Sequence, residues 1–367
     1  MGFHIVKREN LPLWQKCCYY LAAVVLALIL GGVLLISLGV DPIAYYTRMF
    51  TMGTVGNRIA YTVWINYLKD FVPLALTSVA LSLAFKMRFW NIGGEGQFIL
   101  GAITAAFVAF KLGPVLPGAV SLILMCLAAM IVAGLYGLVV AALKVRFGTN
   151  ETLLTLMLNY IALYVLIFLG ETKADWNFFL DPESLRPVFA SFSDLVSFPA
   201  IPMGGKFSLN ICVVLTVLIG VLVYVYLRYT KQGYEINVVG DSAGTAKYAG
   251  MKVNTIVLRT VFLSAALIGL AAAFKVGTAG ILSTSITDDV GWTGIIVAWL
   301  SQLNTGVIFV VSALICVLHY GSTVAAATFS QVDSSFANML QGVILFLVLA
   351  ADFYTRFKIV PVKKGEK

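Results

Sequence analysis

Charged residues are scarce in this sequence. Asp, Glu, Lys and Arg make up 11% of its 367 residues, whereas soluble globular domains carry roughly a quarter. Hydrophobic residues make up 60%, and the mean hydropathy is +0.94. Because so few charges cannot cover the surface of a water-soluble protein of this size, we expect most of the chain to lie in lipid.

A continuous basic surface is also missing, although the formal net charge is +8. Lys and Arg are too sparse and too scattered to form a phosphate-binding face. They cluster in short segments between apolar runs, which is typical of the cytoplasmic loops of a membrane protein. The sequence therefore excludes nucleic acid as a partner.

The motifs of the common catalytic and metal sites are absent. There is no G-x-x-x-x-G-K-[ST] phosphate-binding loop, no H-E-x-x-H, no C-x-x-C and no G-x-S-x-G. The five cysteines fall in apolar segments without metal-ligand spacing, and the two histidines, His4 and His319, are far apart. We expect a chain that is not an enzyme, holds no cofactor and does not hydrolyse ATP by itself.

Long apolar runs are abundant, and they lack strict period-2 alternation. Since only helices and closed barrels satisfy the backbone in lipid, these runs predict membrane-spanning helices. The eighth run is short for a full crossing and is expected to be broken or re-entrant. The fold class is therefore predicted to be an all-α polytopic membrane protein, one transmembrane domain over 1–367 with about ten helices. The predicted spans are residues 17–38, 71–86, 95–111, 117–143, 152–170, 208–228, 256–278, 291–303, 306–320 and 337–354.

The distribution of basic residues predicts that both termini are cytoplasmic. The predicted cytoplasmic segments include the N-terminus at 1–16, a long loop at 229–255 and the tail at 355–367. Residues 171–207 are rich in Asp and Glu, which favours an extracellular loop. Residues 39–69, rich in Tyr, Trp and Arg, are expected to lie along the outer membrane surface.

One internal similarity indicates a possible inverted repeat. "LSLAFKM" at 81–87 resembles "LAAAFKV" at 270–276, and each is followed by a Gly-bearing stretch and another apolar run. In the predicted topology the two copies cross the membrane in opposite directions, as in transporters that bind their ligand near a repeat interface. Chance similarity between two apolar stretches is the alternative.

The stretch "NIGGEGQF" at 91–98 places Asn91, Glu95 and Gln97 among glycines beside a predicted span. A charge inside the bilayer costs several kcal/mol unless it faces protein or water. Glycine lets a helix begin late and allows another backbone to approach closely. The stretch is therefore either a cavity or gate element in a translocation path, or a polar helix start at the inner membrane face.

A second polar stretch, "GTNETLLTLMLNYIAL" at 148–163, begins with cap residues. Thr149 or Asn150 can cap the helix, and Glu151 suits its positive N-terminal end. Glu151, Thr155 and Asn159 are spaced i, i+4 and i+8, so they share one helix face. That face is either a pore-lining stripe or a structural bridge to another helix.

A third stretch, at 230–253, is a long basic loop that is rich in small residues. Its run "DSAGTAKYAG" predicts a short helix that begins at an Asp or Ser cap and ends at Gly250. Loops of this length are often functional, which favours a docking element for a soluble partner over a plain connection.

These stretches, together with "GWTGIIVAWL" at 291–300, resemble successive signature segments of bacterial ABC importer permeases. The resemblance covers roughly residues 70–350 and is closest to the nucleoside importers that work with basic-membrane-protein lipoproteins. Ribose and branched-chain amino acid permeases resemble the chain less closely. The resemblance implies a permease in the bacterial cytoplasmic membrane. Its implied partners are a second permease (identical or homologous), ABC ATPase subunits that hold ATP and magnesium, and an extracellular lipoprotein that delivers a small-molecule substrate.

The resemblance also assigns roles to residues. It places the surface that docks on the ATPase in the 229–255 loop, although Gly244 and Thr245 stand where the family often has an acidic residue and alanine. The coupling residues are Gly240, Ala243, Gly244, Ala246, Tyr248 and Gly250. The polar stretches and the 291–304 segment are expected to line the translocation path, with Trp292 or Trp299 stacking on a nucleobase. The path residues are Asn91, Glu95, Gln97, Glu151, Thr155, Asn159, Trp292, Trp299, Gln302 and Asn304.

Two alternatives to nucleoside import stay open. Import of simple sugars such as ribose needs the same architecture and differs only in the ligand. An ion-coupled secondary transporter working alone needs a proton-binding carboxylate within the membrane, and Glu95 is the strongest candidate for that carboxylate.

Overall fold

The computed structural model describes residues 3–7, 12–193, 196–329, 331–333 and 335–361. The predicted terminal segments at 1–16 and 355–367 therefore fall partly outside the described residues, at 1–2, 8–11 and 362–367. The helices are α1 (Leu13–Ser37), α2 (Pro42–Thr51), α3 (Ala60–Lys86), α4 (Gly94–Leu112), α5 (Gly118–Phe147), α6 (Glu151–Glu171), α7 (Ile211–Tyr229), α8 (Lys231–Asp241), α9 (Ala243–Tyr248), α10 (Val253–Ala279), α11 (Val290–Leu300), α12 (Thr305–Ala326) and α13 (Ser335–Arg356). The strands are β1 (Phe3–Lys7), β2 (Ala200–Gly204), β3 (Phe207–Asn210) and β4 (Phe357–Pro361).

Within the described residues, nine helices are long and apolar enough to cross a membrane: α1, α3, α4, α5, α6, α7, α10, α12 and α13. The prediction of an all-α polytopic membrane protein is confirmed, with two short β-ribbons added to it. The predicted start of the second span at 71 was wrong, because α3 begins at Ala60. Residues 60–69, which were expected along the outer membrane surface, belong to this helix, and Asp70 next to them is paired with Lys275.

The chain divides into two compact units. The first comprises Met1–Val63 and Leu314–Lys367. In it, α1 packs against α13, and the Tyr20 hydroxyl donates to Asp352 Oδ1 at 2.7 Å. The second unit, Trp64–Ala313, holds the central helices and every polar position singled out from the sequence.

A terminal ribbon joins the two ends of the described chain in the first unit. Strand β1 pairs antiparallel with β4, in a register that sets Ile5 opposite Ile359. The two ends of the described chain are therefore adjacent. That both termini are cytoplasmic stays a prediction.

Helices α3 and α10 form the centre of the second unit and are the most buried of the candidate spans. They run antiparallel: the Ser264 hydroxyl donates to the Ala80 carbonyl oxygen at 2.7 Å, and Lys275 Nζ lies 2.7 Å from Asp70 Oδ1. The two similar segments 81–87 and 270–276 lie near the C-terminal ends of these helices. Opposite directions are what an inverted repeat requires.

Small residues bring α4, α5 and α10 together. A Cβ atom at Gly101 would lie 2.8 Å from the Cα of Gly269, and a Cβ at Gly269 would lie 2.3 Å from the Ala129 carbonyl oxygen. Such close backbone contact is the common way in which helices pack within membranes, where lipid is as apolar as the side chains.

The eighth predicted span, at 291–303, contains only a short helix. Helix α10 ends at Gly280, in a left-handed conformation, and residues 281–289 follow without regular structure. Helix α11 has 11 residues, so it spans roughly 16 Å, about half of the hydrocarbon core. It runs parallel to α3: Gly294 contacts Thr77 and Leu81, and Trp299 contacts Phe85. That this irregular segment and the short helix together make one crossing stays a prediction.

Candidate functional site

The candidate site is the point where the first turns of α4 and α11 meet inside the second unit. Gly291 lies so close to α4 that a Cβ on it would be 2.3 Å from the Glu95 nitrogen. A Cβ on Gly94 would lie 3.6 Å from the Gly291 Cα and 3.4 Å from Leu81. Leu81 is five residues from the end of α3, which places this contact roughly 8 Å in from the end of α3 at Lys86.

Glu95 caps α11 from the neighbouring helix. Its Oε2 accepts a hydrogen bond from the Gly291 backbone N–H at 2.8 Å. The side chain is only 8% exposed. A carboxylate at the positive end of a helix is favourable, and this bond replaces part of the water that the carboxylate has lost.

Asn159 caps α4 in the same way, from α6. Its Oδ1 accepts from the Gly96 N–H at 2.8 Å, and its Nδ2 donates to the Ile92 carbonyl oxygen at 2.9 Å. A Cβ at Gly96 would lie 2.9 Å from Asn159 Oδ1, so glycine is what admits the amide. Asn159 thus links α6 to the first turn of α4, and Glu95 links α4 to the first turn of α11.

Asn91 and Gln97 form a reciprocal amide pair at the turn that precedes α4. Asn91 Nδ2 donates to Gln97 Oε1 at 3.1 Å, and Gln97 Nε2 donates to Asn91 Oδ1 at 3.0 Å. Asn91 Oδ1 also accepts from the Gly93 N–H at 3.1 Å. The pair closes the turn that leads into α4, and both side chains are buried.

The predicted face of α6 is present. Asn150 is the N-cap and accepts from the Leu153 N–H at 3.2 Å, as expected. Thr155 and Asn159 are buried on one face, and Glu151 forms an ion pair with Lys144 at the start of the helix. The structure therefore brings together Asn91, Glu95, Gln97, Thr155 and Asn159, and leaves Glu151 at the edge.

The remaining predicted path residues lie along α11 and beyond it. Trp292 and Trp299 are both partly exposed, and Trp299 stacks on Trp90 with 5.2 Å between ring centroids. Gln302 and Asn304 are exposed in the turn before α12, where Asn304 Oδ1 accepts from the Gly306 N–H. They are at the opposite end of α11 from Glu95. Whether all ten residues line a path stays a prediction.

Sequence reasoning overlooked the segment before α11. Residues 283–289, "STSITDD", precede α11 without helical structure, and Thr284, Ser285, Asp288 and Asp289 are exposed. In membrane proteins, non-helical backbone at membrane depth is tolerated only where it is buried in protein or lines a water-filled cavity. Two adjacent aspartates between a long and a short apolar run were the signal that could have identified the segment.

The predicted docking loop forms two short helices. Ser242 caps α9 and accepts from the Thr245 N–H at 3.2 Å, and Gly250 ends it in a left-handed conformation. Ala243 and Gly244 are exposed in the first turn of α9. The role of this loop in docking stays a prediction.

Residues of the loop face in different directions. Ala246 is fully buried, whereas Tyr248 is 97% exposed. Gly240, in α8, packs directly on the end of α3, where a Cβ would meet the Lys86 carbonyl oxygen at 2.0 Å. The loop therefore packs against the end of α3, and the Tyr248 side chain is exposed at its surface.

The site can supply hydrogen bonds and a water-exposed surface. Within the part of the chain that the structure describes, no group of three or more His, Cys, Asp and Glu side chains could hold a metal ion. The Glu95 carboxylate is bonded to the N-terminal end of α11. Whether the site lines a path for a polar solute stays a prediction.

A family model matches residues 63–349, which is more than three quarters of the chain. Its description is "Branched-chain amino acid transport system / permease component". The match includes the first turns of α4 and α11, the 283–289 segment and the loop with α8 and α9.

Curated relatives match over most of their length. A glucose ABC transporter permease of Haloferax volcanii is 28% identical over 96% of this chain and 92% of its own length. A nucleoside ABC transporter permease of Lactococcus lactis is 26% identical over 84% of both chains. A guanosine ABC transporter permease of Bacillus subtilis is 27% identical over 94% of this chain and 96% of its own length. No solved structure matches the chain.

Proposed function

Because the chain belongs to the family of branched-chain amino acid transport system permease components, we propose that it is the membrane-spanning subunit of an ATP-driven importer of nucleosides. As a permease subunit of an ABC transporter, it is a multi-pass protein of the cytoplasmic membrane. Permeases of this class work with an ATPase and a substrate-binding protein. The chain itself carries no phosphate-binding loop, so ATP and magnesium belong to the ATPase subunit.

The observation that carries the proposal is the broken crossing 280–300. Broken helices at membrane depth are a common way in which transporters build a substrate site, because a half-helix end and unpaired backbone groups face the cavity. Here the half-helix α11 begins beside exposed polar residues and carries Trp292 in its first turn. A nucleoside has a flat base for an aromatic ring and a sugar for hydrogen-bonding groups.

The coupling step is assigned to the loop with α8 and α9. ATP binding and hydrolysis in the ATPase subunits move their docking surfaces, and α9 passes the movement to α8 through Ser242. Gly240 connects α8 directly to the end of α3. Tyr248, as the most exposed residue of the loop, is the contact that we assign to the ATPase.

The remaining partners are a second permease, identical or homologous, and an extracellular lipoprotein that delivers the substrate. The lipoprotein sets most of the specificity, so the permease needs to bind its substrate only weakly. Two of the relatives described above are named for nucleosides or guanosine, which supports this substrate class. The glucose permease of Haloferax volcanii favours a second candidate, the import of a simple sugar.

An uptake assay separates these functions. Membrane vesicles from cells that produce the chain with its partner subunits are loaded with or without ATP and given labelled guanosine or labelled glucose. We expect ATP-dependent guanosine uptake that unlabelled glucose and ribose do not reduce. ATP-dependent uptake of glucose alone would instead establish the sugar importer. Uptake driven by an ion gradient, by this chain alone and without ATP, would refute the ABC assignment in favour of a secondary transporter.

A further inference from the structure

The N-cap residue of the half-helix α11, Asp289, makes no side-chain hydrogen bond to the first turn and has a left-handed φ of 55°. The N-cap residues of α1, α4, α5 and α10 make none either, whereas Asp41, Asn150, Asn210, Thr230 and Ser242 cap α2, α6, α7, α8 and α9. The first turn of α11 is bonded to a carboxylate of another helix, that of Glu95.

Helix α11 is also bounded by unusual backbone at both ends. Asp288 and Asp289 precede it with φ values of 48° and 55°, and Gln302 and Leu303 follow it with 50° and 58°. Left-handed conformations at non-glycine residues are uncommon and store strain, and they persist only where the surroundings enforce them. The helix is thus a short rigid rod between two strained turns.

Helix α11 is anchored along its length. Gly291 and Gly294 let it lie directly against α4 and α3, and Trp299 stacks on Trp90 near its last residue. At the strained start of the helix, the Glu95 carboxylate holds the first turn through the Gly291 N–H.

Building on the proposed import function, we infer that Glu95 is a positioning residue of the transport cycle. Its carboxylate, carried on α4, holds the first turn of α11 against α3 and α4 while the path is closed. When the path opens, the bonds to the α11 backbone break and the rod turns about the two strained segments. The Glu95 carboxylate then faces the opened path, where water replaces the lost hydrogen bonds.

A disulfide cross-link between α11 and α3 measures how closely α11 is held against α3, without substrate or ATP. The native cysteines are replaced by alanine, and cysteines are introduced at Thr77 and Gly294, where an added Cβ would lie 3.2 Å from Thr77 Cγ2. The cross-linking rate in membranes is followed by the loss of maleimide-polyethylene glycol labelling. It is compared among the parent, Glu95→Gln, Glu95→Ala and a matched control, Asp352→Asn. Asp352 is also a partly buried, paired carboxylate, but it lies in the first unit.

We expect Glu95→Ala to slow the cross-link by about tenfold, Glu95→Gln to slow it by about threefold because the amide keeps one acceptor, and Asp352→Asn to leave it unchanged. In vesicles preloaded with labelled guanosine, both Glu95 variants should raise ATP-independent efflux, which a loss of fold alone would not do. The inference is overturned if Glu95→Gln cross-links as fast as the parent. If Glu95→Ala does not reach the membrane, the result for Glu95→Gln alone is the test. Because the cross-link needs no substrate, a failure of guanosine uptake by the parent would refute the proposed function without affecting this result.

Discussion

The contact between α11 and α4 predicts a large effect for the smallest substitution, Gly291→Ala. The added methyl carbon would lie 2.3 Å from the Glu95 nitrogen, 2.5 Å from its Cα and 2.5 Å from Oε2. Two of these three atoms are backbone, so a change of side-chain rotamer cannot relieve the contact. Ordinary contact begins near 3.4 Å, and 3.4 − 2.3 = 1.1 Å is the distance by which α11 has to move away from α4.

The magnitude follows from two terms. Overpacking of a tight contact costs about 1–3 kcal/mol. A shift of 1.1 Å also stretches the 2.8 Å bond from the Gly291 N–H to Glu95 Oε2 beyond hydrogen-bonding distance, which costs about 1–3 kcal/mol for a buried carboxylate. Alanine recovers about 1 kcal/mol through its better helix propensity. The net loss of α11 docking is about 1–5 kcal/mol.

The measurement combines uptake with stability. Labelled guanosine uptake by ATP-loaded vesicles is divided by the amount of inserted protein, and thermal unfolding is recorded on the purified complex in detergent. Gly294→Ala is the comparison on the same helix, because its added methyl meets only side-chain atoms at 3.2–3.5 Å. Gly342→Ala is the control, since an added methyl there has nothing within 4 Å.

We expect Gly291→Ala to lose most uptake, Gly294→Ala to lose little and Gly342→Ala to behave as the parent. Wild-type uptake and an unchanged melting temperature in Gly291→Ala would refute the close approach of α4 and α11. Equal losses in Gly291→Ala and Gly294→Ala would show that α11 tolerates no change at all, and the specific role of the Glu95 contact would then be wrong.

Three further predictions concern the other elements. Tyr248→Ala should reduce co-purification of the ATPase partner with an unchanged amount of inserted chain, whereas Ala246→Arg should reduce insertion itself, because residue 246 is fully buried; pull-down and immunoblotting distinguish them. Asn159→Ala leaves one backbone N–H and one carbonyl unpaired, so it should lower the free energy of unfolding by about 2 kcal/mol in thermal melts, and no change would refute its capping role. Lys275→Met should destabilise by about 1–3 kcal/mol, and adding Asp70→Asn should recover part of the loss, whereas strictly additive effects would refute the pairing.

Periodicity and composition predicted most of the helices because they report a local property. Each predicted span has a counterpart among the helices, and the short eighth run appears as α11. The error at the start of α3 has a clear cause: Asp70 looks costly in lipid until Lys275, 205 residues later, is placed beside it. No local reading of the sequence can supply that partner.

The candidate site was predicted in part. The glycines of 91–98 do admit close neighbours, and Asn150 and Ser242 do cap α6 and α9. Such caps are local, since a side chain bonds to the backbone two or three residues onward. The exposed segment 283–289 was not predicted, because its significance depends on its position next to the first turn of α11.

The sequence by itself determined that this chain is a polytopic membrane protein, where its helices lie and which polar residues interrupt them. These properties follow from the cost of exposing polar groups to lipid, which acts on each segment separately. Only the tertiary structure decided that Glu95 caps α11 and that Asn159 caps α4, because each bond joins residues far apart in the chain. The same carboxylate would be a plain helix-start residue on an isolated α4. It bonds to the start of a broken crossing because Gly291, 196 residues away, lets the two helices meet.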